Sequence, residues 1–164
     1  MVNARYGRQD SRLGQEGIYP TVGFGLLLIR VVTGIVFFMH GYQKLVDNGI
    51  SATQQGFHAM DVPLPDITAV VVTFVELIGG AALILGAFTA VVGLLLAVDM
   101  LAALFIVHID AGFFAMNGGF ELVLLLGSVA LGVAIAGPGQ FSVDALTNLG
   151  ARLPFSQALA PSRR

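Results

Sequence analysis

Hydrophobic positions along this chain gather in long runs instead of alternating with polar ones. A polar stretch through Arg5, Arg8, Arg12 and Pro20 ends at Phe24, and the chain is then mainly apolar to Leu45. A second run from Ile67 to Val107 holds only Glu76 and Asp99 as charged residues, and a third runs from Phe120 to Ala136. A helix crosses the roughly 30 Å hydrocarbon layer of a bilayer in about 20 apolar residues. The middle run would be about 60 Å long as one helix, so it must fold back once. Breaking it at Gly79-Gly80 leaves a first half too short to span, which places the turn near Gly86-Ala87-Phe88-Thr89. The pattern predicts four spans, near 24–45, 67–86, 90–108 and 120–136. Gly49, Pro63 and Pro65 make 47–66 a polar connection that no helix tolerates throughout. Gly137-Pro138-Gly139 stops the last span, and 141–164 reads as a short interfacial segment with a loose basic tail.

Composition agrees with lipid as the main solvent. The 164 residues are 56% hydrophobic and 11% charged, against about 25% charged in an ordinary soluble domain. A net charge of -2 with scattered basic residues argues against a nucleic-acid partner. The absence of cysteine excludes disulfides, thiol relays and thiolate-bound iron–sulfur clusters. No apolar segment precedes Phe24, so no cleaved secretion signal is expected and the first span must direct insertion. Arg5, Arg8 and Arg12 precede the first span and Arg152, Arg163 and Arg164 follow the last, while 47–66 and 109–119 contain no Lys or Arg. The excess of basic residues on cytoplasmic segments then puts both termini in the cytoplasm. The expected fold is an all-α, membrane-embedded four-helix bundle: a cytoplasmic extension at 1–22, the transmembrane domain at 23–140, and the interfacial segment and tail at 141–164.

The halves of the chain resemble each other. Gly25-Leu-Leu-Leu, Arg30 and His40 in the first span answer to Gly93-Leu-Leu-Leu, Asp99 and His108 in the third, and Glu76 and Glu121 each precede Leu, Gly and Ala. Two duplicated hairpins would produce this, and so would shared Leu/Gly/Ala composition.

Charges inside a bilayer cost roughly 2.5–3.5 kcal/mol each on insertion scales, so each needs a partner or a purpose. Counted from the ends of their spans, Arg30, Glu76 and Asp99 fall at similar depths and are expected to form one deep network. His40, Lys44, His108 and Glu121 form an outer polar cluster, with Asp110 beside it. Arg30, Gly34, Phe37, Gly41 and Lys44 share one face of the first span, which should look into the bundle. A polar cavity opening outward, lined by His40, Lys44 and Glu121 with Arg30, Glu76 and Asp99 at its floor, could bind a quinone headgroup, a small anion or a proton, and a purely structural ion-pair network is the competing reading. His40 and His108 lie on different helices without further ligands, so neither haem nor a metal site is expected.

These residues also carry a family resemblance. Leu-Leu-Ile-Arg30, His40-Gly41-x-x-Lys44, Glu76 before Gly79-Gly80, Asn117-Gly118-Gly119-x-Glu121 and the closing Gly137-Pro138-Gly139-x-x-Ser142-x-Asp144 together resemble the DoxX family of small four-helix membrane proteins, over about residues 22–146. The resemblance implies a place in the bacterial cytoplasmic membrane beside other redox subunits. DoxD-type members belong to a thiosulfate:quinone oxidoreductase or terminal oxidase, and an actinobacterial member is linked to a membrane complex with a superoxide dismutase and a sulfurtransferase. It supplies no catalytic residue to carry over. The chain is therefore expected to act as an accessory subunit instead of catalysing alone, with quinone as the cofactor class to consider, no covalent cofactor, and self-association left open. A small-solute, proton or anion transporter is the alternative.

Overall fold

The computed structural model describes residues 6–147, with side chains from Thr21 onward. Every regular element among them is helical. Helix α1 runs Tyr6–Tyr42 and ends in a π-helical turn, Gln43–Asp47; α2 is Ile50–Ala59; α3 is Pro65–Leu85. Helix α4, Thr89–Ala103, also ends in a π turn, Leu104–His108, followed by two 3-10 turns; α5 is Glu121–Ala136 and α6 is Val143–Thr147. Local chemistry sets these ends. Pro65 at the first position of α3 has no N–H to leave unsatisfied, and Asp66 complements the helix dipole. Gly86, at φ +68°, takes the left-handed conformation that closes α3, and Gly137, at φ +90° before Pro138, closes α5.

Thr21–Asp47, Pro65–Leu85 and Thr89–Ala111 are long and apolar enough to cross a membrane, and α5 is a shorter apolar helix. Helix α1 packs on α3, α3 on α4, α4 on α5, and α5 back on α1. Phe37, Leu83, Leu96, Met100, Leu126, Ala130 and Val133 fill the core between them. The distribution outside that core is inverted relative to a water-soluble domain. Phe24, Ile67, Ile78, Phe105 and Ile135 are all more than 60% exposed, whereas Arg30, Thr73, Glu76 and Thr89 are buried. An apolar belt of this extent would be costly in water and is at rest in lipid; the chain is a membrane protein.

The face of α1 bearing Arg30, Gly34, Phe37 and Gly41 is buried against α3. Gly34 meets the Gly80 carbonyl and Ile84, and Gly41 meets Leu77, so these small residues set the antiparallel register of the pair. A methyl group at Gly80 would stand 2.7 Å from the Gly34 carbonyl and closer still to the Phe38 amide. Neither backbone atom can swing away as a side chain could. Gly80→Ala should therefore cost about 1–3 kcal/mol by forcing α1 and α3 apart, seen as a fall in the detergent-solubilised melting temperature. Gly132→Ala, where nothing lies within reach of the added carbon, should leave it unchanged or raised.

Two segments carry more structure than the sequence pattern specified. The 47–66 connection contains α2, which begins after Gly49, ends before Pro63 and packs on α3; its apolar residues are too few to announce it. The segment after Gly139 carries a short helix and is docked on the bundle, with Ser142 and Asp144 buried. The basic tail from residue 148 on, and the first five residues, lie outside the described residues.

Candidate functional site: two buried charge clusters

The expected triad of Arg30, Glu76 and Asp99 is divided: Arg30 lies level with the end of α3 at Gly86, and Glu76 and Asp99 lie near the middle of their spans. Lys44 and Arg30 are fourteen residues apart on the same helix, about 21 Å at helical rise, which no side chain spans. The glycine contacts align Arg30 with Gly86 at the end of α3 and leave Glu76 about 15 Å further along that helix. Depth within each span is readable from sequence; the register between spans is set by contacts that are not.

At the end bearing α2, Lys44 in the first π turn pairs with Glu76 of α3 at 2.5 Å. Asp99 of α4 lies within electrostatic range of both, and its Oδ2 is closed off from solvent with no hydrogen-bond partner in the protein. The three line a cavity of about 150 Å³ whose other walls include Phe57, Val62, Val72, Met100, Ile106 and Val107. Both π turns border it, Lys44 in one and Ile106 and Val107 in the other. Such turns widen a helix and re-aim the side chains they carry, and they recur at functional sites. Thr53 of α2 donates to the Lys44 carbonyl at 3.0 Å, and His58 and Asp66, 3.0 Å apart, hold α2 to the start of α3. One ammonium, two carboxylates and apolar walls can bind a proton or a small molecule with one hydrogen-bonding group.

At the opposite end Arg30, 1% exposed, donates through Nη2 to the Phe141 carbonyl at 2.6 Å and faces Asp144. Asp144 in turn accepts from the amides of Phe88 and Thr89 at 2.8 Å each, capping α4 from more than fifty residues away. Its own amide donates to the Gly86 carbonyl at 3.0 Å. Ser142 accepts from the Ala145 amide at 3.1 Å and so starts α6, which fixes Asp144 in place. Gly86 lets Arg30 lie against the turn, because a side chain there would collide with the guanidinium. Asp144 is the buried residue that the sequence reading missed. The signal was present in two places: an acidic residue closing the Gly137-Pro138-Gly139 motif, and Phe88 and Thr89 opening a helix with no capping side chain of their own.

The rest of the outer cluster is dispersed. His108 contacts the Gly118 carbonyl at 2.7 Å and Glu121 accepts from the Ala115 amide at 3.0 Å. Both hold the loop between α4 and α5, beside the edge-to-face rings of Phe113, Phe114 and Phe120. Asp110 is exposed in that loop, and His40 is half-buried one turn before Lys44. Among the described residues no three His, Asp or Glu side chains converge as a metal ligand set.

Comparison with known proteins places this geometry in a family. The chain matches the DoxX family model over residues 25–109. It is 38% identical over 120 residues to the Bacillus subtilis protein named "Putative oxidoreductase CatD", an alignment covering 73% of this chain and 84% of that one. It is 33% identical over 122 residues to an uncharacterized Haemophilus influenzae protein, covering 73% and 87%. It is 32% identical over 127 residues to the Escherichia coli inner membrane protein YqjF, covering 76% and 92%. No solved structure matches. On a match to more than half its length and on these relatives, the chain belongs to the DoxX family.

Proposed function

We propose that this protein is an integral, multi-pass accessory subunit of a redox or respiratory complex in the bacterial cytoplasmic membrane. The reading takes α1, α3, α4 and α5 as four spans of one bundle, with both termini cytoplasmic. The observation that carries it is the Lys44–Glu76–Asp99 cavity, a hydrogen-bonding site set among lipid-facing helices. A bilayer-dissolved quinone headgroup could be met there without leaving the membrane. The name of the B. subtilis relative supports a redox role, and that of the E. coli relative supports the location. Among the described residues little lies outside the helices, and on this reading the redox centres belong to partners.

Purification of the chain from its native membrane in mild detergent tests the proposal. Stoichiometric co-purification with dehydrogenases, haem proteins or a superoxide dismutase, with an oxidised-minus-reduced spectrum, is the expected result. A colourless protein that runs alone would overturn it. The orientation has its own test, because the chain lacks cysteine. A cysteine placed at Ser51 should be labelled by an impermeant reagent added from outside, and one at Ser11 should not. Transport of a small solute, proton or anion is the second reading, favoured by the same buried charges lining a cavity. Liposome flux unaffected by Glu76→Gln and Asp99→Asn would exclude it.

A further inference from the structure

The charged groups lining the cavity under α2 do not balance. Lys44 supplies one positive charge, while Glu76 and Asp99 supply two carboxylates. The side chains of Lys44 and Glu76 are 19% and 5% exposed, so little water is available to screen the excess. Two carboxylates beside one ammonium at this depth resist both being ionised unless a further positive charge is present. Glu76 already holds Lys44, which leaves Asp99 without an ion pair of its own, and its Oδ2 is a buried carboxylate oxygen without a hydrogen-bond partner. Among the described residues Thr68 is the only other side chain in the cavity wall that carries oxygen, and its hydroxyl donates to the Pro63 carbonyl at 2.7 Å. A metal cation would find few oxygens there to replace its hydration shell. A proton needs only one.

We propose that the Lys44–Glu76–Asp99 cluster holds one exchangeable proton, carried on Asp99 Oδ2. With the proton bound, the Asp99 carboxyl is neutral and the Lys44–Glu76 pair closes the charge count. On release, the O–H bond breaks, the proton passes to water, and Lys44 is left shared between two carboxylates. Water approaches past Lys44, the more exposed member of the pair. Lys44 on α1's terminal turn and Glu76 on α3 are the charged groups that face Asp99. Helix α2 and the segment after it contribute Phe57 and Val62, and His40, His108 and Asp110 do not line the cavity. The assignment goes beyond the accessory-subunit reading and stands whether or not a redox partner is found, since it concerns binding by this chain alone.

Infrared difference spectroscopy on the full-length protein in nanodiscs, stepping between acidic and alkaline buffer, tests it. The expected result is a protonated-carboxyl stretch that grows on acidification, is lost in Asp99→Asn and is kept in Asp110→Asn. Potentiometric titration should show Asp99→Asn taking up one proton fewer per chain. Should that variant not fold, Asp99→Glu keeps the carboxyl and should move the band in frequency. A parent spectrum without the band, a band retained in Asp99→Asn, or a band unmoved in Asp99→Glu would each overturn the assignment. So would a band abolished at constant pH when sodium replaces choline, because the occupant would then be a metal cation.

Discussion

Arg30→Gln should reduce membrane accumulation severely and lower the melting temperature of whatever protein is recovered. The guanidinium is shut off from water, holds the Phe141 carbonyl and faces Asp144. Removing it leaves a buried carboxylate without its cation and frees the segment that caps α4. Breaking a buried pair from one side typically costs about 3–5 kcal/mol, a large part of the roughly 5–15 kcal/mol that holds a domain together. Arg30→Lys should rescue only in part, because an ammonium keeps the charge near Asp144 without the planar guanidinium whose Nη2 holds the Phe141 carbonyl. Asp144→Asn should fall between parent and Arg30→Gln. An asparagine keeps one oxygen for capping, but it cannot offset the arginine. If Arg30→Gln accumulated and melted like the parent, the docking of the C-terminal segment would not depend on this charge.

The second large effect is an inequality between two partners of one ion pair. Lys44→Met leaves the Glu76 carboxylate without its cation in an apolar cavity and should cost about 3–5 kcal/mol. Glu76→Gln leaves Lys44 with Asp99 as a ready replacement, so its cost should be nearer the roughly 1–3 kcal/mol of a disturbed buried hydrogen bond. Melting temperatures should therefore order as parent, Glu76→Gln, Lys44→Met. Combining Lys44→Met with Glu76→Gln should recover part of the loss, because Asp99 alone can stay protonated. Equal loss in both single variants would mean that Asp99 cannot accept Lys44.

Helical class and affinity for lipid were legible because both rest on composition and run length, which need no knowledge of tertiary contacts. The buried face of α1 was legible for a similar reason, since Arg30, Gly34, Phe37, Gly41 and Lys44 follow from helical periodicity alone. The partnering of Arg30 was not. Similar depth along separate spans suggested Glu76 and Asp99, but register between antiparallel helices is decided by where Gly34, Gly41 and Gly80 allow backbones to meet. Lys44 illustrates the same limit: its inward face followed from periodicity, but its place near the end of a span grouped it with His40, His108 and Glu121 and not with its partner Glu76. The role of Asp144 needed a contact across more than fifty residues. Helix α2 escaped notice because flanking Gly49 and Pro63 describe a loop as readily as a short helix between two stops.

The buried charges form two clusters expected to act independently, Arg30 with Asp144 at one end and Lys44 with Glu76 and Asp99 further toward the other. Double-mutant cycles on thermal stability in detergent test that independence most directly, using Arg30/Asp144, Lys44/Glu76 and the cross pair Arg30/Glu76. The first two pairs should show coupling of about 1–3 kcal/mol, and the cross pair should be additive within about 0.5 kcal/mol. Coupling between Arg30 and Glu76 as strong as that within either pair would contradict the account and join the charges into a single network.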